Sequence, residues 1–313
     1  MTQDNKERMT PQNQPLISFI IASYNAEKFI VECLDSCLNQ TYKNIEVCIT
    51  NDGSTDNSQA IIYEYSKDSR VKAHSFDSNK GKVAAFNHSM SMATGSYFAL
   101  IGADDINYKS RIQDQLNLAH KEGLNLVWTN YDILQDGVIS SNPSPKNQSP
   151  TKEQILNDNC MAGGSFLFDT KVRDLCFPMP ENLKFEDWWI SFNTIFNLKF
   201  GYLDKATFKY RIHSANTVGN NSNYLENKRK NILRHFAYHD KFSSILKVGF
   251  SKEYSKLNFA NRGLKSLFIE DSFFKRVFIF SGSLKYFTTN NIRNYIKMLT
   301  LTLFGFKFLS RFK

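Results

Sequence analysis

Residues 17–56 read ISFIIASYNAEKFIVECLDSCLNQTYKNIEVCITNDGSTD, and the fold class is decided in this stretch. Ile17 to Ser23 is a nearly continuous apolar run, as expected of a strand covered on both faces. Ala26 to Leu38 then puts Phe29, Ile30, Cys33, Leu34 and Cys37 on one side of a helix. A second apolar strand, Ile45 to Thr50, runs into Asn51-Asp52-Gly53-Ser54, turn chemistry followed by a helix cap at Ser54 to Asp56.

The alternation continues outward. A helix over Asn57 to Tyr65 precedes a short strand, Val71 to Phe76. Asn79-Lys80-Gly81 then opens a helix reaching Ala93. Tyr97 to Ile101 is a fourth strand ending at Gly102-Ala103-Asp104-Asp105, and Leu124 to Tyr131 reads as a fifth. Such a chain predicts an α/β fold with a mostly parallel central sheet. Ligands of these sheets bind beyond the carboxyl ends of the strands. Ser23-Tyr24-Asn25, Asn51-Asp52-Gly53 and Asp104-Asp105 all fall there, which argues for a single site. Asp136 to Thr151, rich in Ser, Pro and Asn, reads as a loop. Gly163-Gly164 and then Phe185-Glu186-Asp187-Trp188-Trp189 follow, the latter at the start of a helix. Beyond Asn220 the pattern turns helical, and no internal repeat is found.

At 313 residues, 42% hydrophobic and 22% charged, the chain is long enough for one large domain plus an appendage. The net charge of +9 is unevenly spread. Residues 228–313 hold 18 Lys and Arg against 4 Asp and Glu, a balance of +14, and leave −5 for the rest. The same segment has 14 of the 27 Phe. Over 291–313, Ile292, Tyr295, Ile296, Leu299, Leu303 and Phe306 recur at helical spacing among Lys and Arg. This helix either packs on the catalytic domain or meets an anionic membrane surface. Nucleic acid is the disfavoured partner for this basic segment. Five cysteines without CxxC pairs argue against a disulfide framework or a structural zinc. The polar residues 1–14 do not read as a signal peptide, and no apolar stretch reaches the length of a membrane span. The expected location is the cytoplasm, peripheral to the inner face of the membrane.

Adjacent carboxylates repel, so Asp104-Asp105 together invite a cation; oxygen ligation suits Mg²⁺ or Mn²⁺, which in turn suits a diphosphate. The alternative is an Asp pair capping a helix that begins near Ile106 to Tyr108. Asp52 stands at a strand exit where its carboxylate could accept the imide N–H of a uracil, and Tyr24 could stack on a base or simply pack. Glu186-Asp187 suits either a helix start or a general base beside a sugar.

ISFIIASYNAEKFI, NDGSTDNS, NKGKVAAFNHSMSMATGSYFALIGADD, FEDWW and YRIHSANT, in that order from Leu16 to His213, resemble the family 2 glycosyltransferases of bacterial surface-polysaccharide type. The resemblance implies a GT-A nucleotide-binding sandwich over 15–220, between a flexible 1–14 and a helical C-terminal extension, 221–313. It implies inverting transfer from a nucleoside-diphosphate sugar, UDP-linked, to a hydroxyl of a glycan or lipid-linked acceptor, with Mn²⁺ or Mg²⁺. Asp52 would bind the base, with Ser23, Tyr24 and Asn25; Lys80, Gly81, Asn87, Asp104 and Arg211 would complete the donor site. Asp105 would ligate the metal, joined by His213. Asp187 would be the catalytic base, and Gly163, Gly164, Glu186 and Trp188 would face the acceptor. Ala22 stands where the family often has Pro, Phe86 where it often has Arg, and Gly102 where it often has a leading Asp. The competing function is a noncatalytic protein that binds a nucleotide sugar, or binds nucleic acid through the basic C-terminal region.

Overall fold

A computed structural model describes residues 14–213, apart from 146, 158, 160, 182 and 184, all within the first of two units into which the chain divides, 1–219. The expected C-terminal helices, with the amphipathic stretch 291–313, lie outside the described residues.

The nine strands are β1 (Ile17–Ser23), β2 (Ile45–Asn51), β3 (Val71–Ser75), β4 (Tyr97–Gly102), β5 (Ile106–Asn107), β6 (Leu126–Gln135), β7 (Val138–Ser141), β8 (Leu167–Asp169) and β9 (Phe200–Ile212). They form one sheet in the order β3-β2-β1-β4-β8-β6-β9-β5, with β7 paired to β6. β3, β2, β1 and β4 run parallel, β8 is antiparallel to both β4 and β6, and β6 and β9 are parallel. The mostly parallel sheet read from the sequence is therefore present. Every residue of β2, and all of β1 but Ala22, is buried, which is why both read as apolar runs without alternation.

The helices are α1 (Ile30–Leu38), α2 (Ser58–Tyr65), α3 (Lys82–Met92), α4 (Arg111–Glu122), α5 (Lys152–Asn157), α6 (Thr170–Cys176) and α7 (Glu186–Asn197). α1 buries Ile30, Cys33, Leu34 and Cys37, the i, i+3, i+4, i+7 face. It begins four residues later than the pattern suggests, because the Ala26 carbonyl accepts both the Phe29 and Ile30 N–H groups in a turn. Phe86, in α3, is buried in the core, so no long side chain from this position reaches a phosphate.

Two segments differ from their sequence reading. Within the expected loop 136–151, β6 and β7 form a hairpin whose turn is Asp136-Gly137. Both have positive φ, 50° and 78°, as a type I′ turn requires, and Asp-Gly is its signature. The segment after Asp105 is not a helix start: β5 intervenes, and α4 begins at Arg111 behind Ser110. Asp104 and Asp105 therefore cap no helix.

Candidate active site

β1, β2 and β4 end level with one another, Ser23 pairing with Asn51 and Ala22 with Gly102. Asp52 leaves β2 buried, its N–H donating to the Ser23 carbonyl at 2.7 Å. Its Oδ1 accepts the Lys80 N–H at 2.7 Å and its Oδ2 the Gly81 N–H at 3.0 Å. Asp52 thereby draws the 80–81 turn to the strand end, and each oxygen keeps lone pairs for a ligand. Gly53 has a φ of +65°, and a Cβ there would stand 2.4 Å from the Ser78 carbonyl carbon. Only glycine permits this approach.

Asn25, at φ +48°, braces the neighbouring loop: its Oδ1 accepts the Thr55 N–H at 2.9 Å, and its own N–H donates to Ser54 Oγ at 2.9 Å. The Ser23 hydroxyl is buried with no hydrogen-bond partner among the described residues. A buried hydroxyl is seldom left so, and this one stands at the end of β1, beside Asn51 and Asp52. Tyr24 is half exposed beside it. Asn87 faces elsewhere: its Nδ2 donates to the Met179 carbonyl and its Oδ1 accepts the Met179 N–H, both at 2.8 Å. The amide joins α3 to the segment ahead of α7.

Beyond β4, Asp105 is 4% exposed. Its Oδ1 accepts the Arg211 N–H at 2.9 Å. Burial, and next the Asp104 carboxylate, push its carboxyl well above the usual range; the Arg211 N–H and the Arg111 and Arg211 guanidinium groups pull the other way. Asp104 Oδ2 lies 3.0 Å from His213 Nε2, and its carbonyl accepts from Arg211 Nε at 2.9 Å. Arg211 also pairs with Glu32 at 2.8 Å and lies over the Phe29 ring, while that ring and His213 stand 4.5 Å apart. The end of β9 is thus fastened to α1.

A Cβ built on Gly102 would stand 2.6 Å from Asp104 Oδ1 and 2.9 Å from Asp105 Oδ2. Both carboxylates therefore converge on the bare face of one glycine. Oxygen donors gathered over such a cradle, one of them desolvated, fit a hard divalent cation. No group of three or more His, Cys, Asp or Glu that could hold a metal occurs among the described residues. A cation here would take further oxygens from its ligand, as Mg²⁺ does with substrate phosphates.

Asp187 is the second residue of α7. Its Oδ1 accepts the Trp188 N–H at 2.8 Å, and Asn159 gives it a side-chain hydrogen bond. Burial, and then Glu186, raise its carboxyl to about 6, against the pull of Lys82 and of these hydrogen bonds. Glu186 pairs with Lys82 at 2.7 Å. The Trp188 ring is buried and its Nε1–H donates to the Ile155 carbonyl, so the ring packs behind the first turn of α7. Between the acids lies the turn Gly163–Ser165. A Cβ on Gly163 would meet the Asp187 Cβ at 2.7 Å, and one on Gly164 would lie 3.6 Å from Asp105 Oδ2. The two acidic centres thus stand on either side of a pair of adjacent glycines.

The sequence reading passed over Lys82 and Arg111. Arg111 is fully buried, and burial pulls its guanidinium down to about 10. It donates to the Leu100 and Phe166 carbonyls and to Asn107 Oδ1, and Gln115 donates to the Ser165 carbonyl at 2.7 Å. Together they lash β4 to the glycine turn. An Arg and a Gln on one helical face carry no sequence signal of such burial.

The profile described as "Glycosyl transferase family 2" matches residues 18–172. An Escherichia coli protein, "UDP-Glc:alpha-D-GlcNAc-diphosphoundecaprenol beta-1,3-glucosyltransferase WfaP", is 30% identical over 220 residues, 70% of this chain and 86% of the relative. WfgD, of the same printed activity and species, is 28% identical over 80% of this chain and 94% of its own. Among solved structures, S. aureus TarS 1–349 in complex with UDP-GlcNAc superposes with a TM-score of 0.58 at 18% identity, over 93% of this chain and 82% of its own. The mannosyltransferase PcManGT from Pyrobaculum calidifontis, in complex with GDP-Man and Mn²⁺, gives 0.58 at 13% identity, over 96% and 88%. These likenesses show the fold, the GT-A sandwich expected from the sequence.

Proposed function

The chain belongs to glycosyl transferase family 2 and is a glycosyltransferase, and we propose that it moves a sugar from a UDP-sugar to a hydroxyl of a lipid-linked saccharide, with inversion. The observation that carries this reading is the approach of the two acidic centres, with Asp105 and Asp187 on either side of Gly163-Gly164. Membership in a family of enzymes removes the need for the noncatalytic alternative.

Asp52, the Lys80-Gly81 turn, Ser23 and Tyr24 would receive the nucleoside, the unpartnered Ser23 hydroxyl finding its bond there. Asp105 and Asp104 would hold Mn²⁺ or Mg²⁺, with His213 beside Asp104. Bound there, the cation would offset charge gathering on the departing diphosphate. Asp187 takes the proton of the acceptor hydroxyl as its oxygen bonds to the anomeric carbon, and the bond from that carbon to the diphosphate oxygen breaks on the opposite face. With its carboxyl near 6, Asp187 is largely ionised at neutral pH and still basic enough to accept a proton. No helix among the described residues is long and apolar enough to cross a membrane. A lipid-linked acceptor, as in the printed names of WfaP and WfgD, would be met from the cytoplasmic face, with the basic residues 228–313 against anionic headgroups.

The test is nucleoside-diphosphate release from a panel of UDP-sugars with a diphosphate-linked lipid saccharide, with and without Mn²⁺ or Mg²⁺. Asp187→Asn is expected to lower turnover by a factor of about 10²–10⁴ while donor binding persists. Undiminished turnover in that variant refutes the base. Retention of the donor's anomeric configuration in the product refutes inversion.

A further inference from the structure

Lys82 is the first residue of α3, directly after Gly81. A cation there sits at the positive end of the helix dipole, where it is disfavoured, so something outside the helix holds it. That partner is Glu186, the first residue of α7, 2.7 Å away and largely shielded from water. Glu186 and Asp187 are consecutive carboxylates in one helical turn, capped at Phe185 by no side chain. Two such neighbours cannot both ionise cheaply out of water. Lys82 therefore stands between the donor wall, where Gly81 is bound to Asp52, and the wall that carries the base.

We propose that Lys82 is a positioning residue for Asp187: by clamping Glu186 it fixes the first turn of α7 and offsets the Glu186 charge, so that Asp187 can act as a base at neutral pH. The inference rests on the reading of Asp187 as that base. Among the described residues, the charges felt at Asp187 are those of Glu186 and Lys82, and the other groups around it are uncharged or engaged elsewhere. Asn159 is neutral, and the turn Gly163–Ser165 brings no titratable group. From α5, the Lys152 ammonium lies over the Phe196 ring, and from α6, Arg173 pairs with Asp174 and lies over Phe98; Lys171 is exposed near the far end of α7, and the Cys176 thiol is pushed up to about 12 by burial. Tyr210, raised by burial and then by Asp105, Asp104 and Tyr131, is pulled down by Lys82, so the ammonium lies within electrostatic reach of the Asp105 side as well.

The pH dependence of turnover at saturating donor tests this in Lys82→Met, Lys82→Arg, Glu186→Gln and the Lys82→Met/Glu186→Gln pair, with Asp187→Asn as reference. Loss of a nearby opposite charge moves a carboxyl by about one unit. In Lys82→Met the acid limb moves up by that amount, so that at pH 5 turnover, taken as a fraction of each enzyme's own plateau, is about tenfold lower than in the native chain. Lys82→Arg keeps the limb in place, Glu186→Gln moves it below the native position, and the double variant brings it back. An unmoved limb in Lys82→Met, or a double variant that fails to reverse the shift, overturns the proposal. A raised donor KM with an unmoved limb also overturns it, assigning Lys82 to the donor phosphates. If Lys82→Met does not fold, Glu186→Gln still decides, since a limb that stays or rises in it refutes the coupling. Asp187→Asn separates the two levels. Retained turnover there defeats the base itself, whereas an inactive Asp187→Asn beside an unmoved Lys82→Met defeats only the role of Lys82.

Discussion

Gly102→Ala perturbs the presumed metal cradle by one methyl group. The added Cβ would stand 2.6 Å from Asp104 Oδ1 and 2.9 Å from Asp105 Oδ2, against an ordinary carbon–oxygen contact of about 3.4 Å. Each carboxylate must retreat by roughly 0.5–0.8 Å to restore that contact. Asp105 has little room to do so, being buried and tied to the Arg211 N–H, and Asp104 is held by His213 and Arg211. A displacement approaching 1 Å in a catalytic constellation costs up to about 10²-fold. We expect kcat/KM to fall about 10- to 100-fold, equivalent to about 1.4–2.7 kcal/mol, with the Mn²⁺ concentration for half-maximal rate rising in parallel. Gly102 ends a strand without positive φ, so alanine suits the backbone and, by restricting the unfolded chain, compensates part of the crowding. The melting temperature should therefore change little while activity collapses. Metal-titrated initial rates and thermal melts on the same preparation measure both. Native kcat/KM and metal dependence in Gly102→Ala would show that the two carboxylates do not act together over this glycine.

Four further outcomes follow from the same geometry. Native turnover should fall as pH falls, with an acid limb near 6 set by Asp187, because the base must be ionised; a limb near 4 would contradict the burial argument. Stability carries the opposite sign: a carboxyl raised in the folded state stabilises fully below its unfolded value, and that contribution is lost as pH rises through about 6. Asp187→Asn should thus melt higher than the native chain at pH 8, with the gap closing below pH 6. Gly53→Ala, strained at φ +65° and driven against the Ser78 backbone, should raise the donor KM about tenfold or more, seen in donor titrations. Arg111→Met takes the guanidinium from the Leu100 and Phe166 carbonyls and from Asn107 Oδ1, the Phe166 carbonyl keeping the Leu100 N–H. It should cost about 3–5 kcal/mol in urea unfolding, and a loss below about 1 kcal/mol would refute the clamp.

The alternation that fixes the sheet was legible because β1 and β2 are covered on both faces and leave unbroken apolar runs in the chain. The β6–β7 hairpin was equally written, in Asp136-Gly137, but the Ser, Pro and Asn around it masked a two-residue turn as a loop. β9 was missed because its pairing with β6 is interrupted by register shifts after Thr129 and Asn130, so no clean alternation survives in Phe200–Ile212. The candidate site was readable in its acids and not in their supports. Asp52, Asp105 and Asp187 fall at punctuated positions, at strand ends or a helix start. Arg111 and Lys82 open ordinary helices, where a basic residue announces no role, and their roles come from partners 55 and 104 residues away, Phe166 and Glu186.

The glycines explain how carboxylates scattered over some 80 residues, from Asp104 to Asp187, come to lie near one another. Carboxylates repel and dislike burial, so a fold gains nothing by collecting them unless room is kept for the cation and the hydroxyl that relieve the charge. Here that room is backbone without side chains. Gly102 lies under Asp104 and Asp105, Gly163 against Asp187, and Gly164 against the Phe208 ring with Asp105 Oδ2 close by. A side chain at any of the three would meet a neighbour at 3.2 Å or less. An Asp placed at 102 would consequently not fit beside the carboxylates of the arrangement seen here. It would displace the two already present, so the pair Asp104-Asp105 and the glycine before it have to be read as one unit.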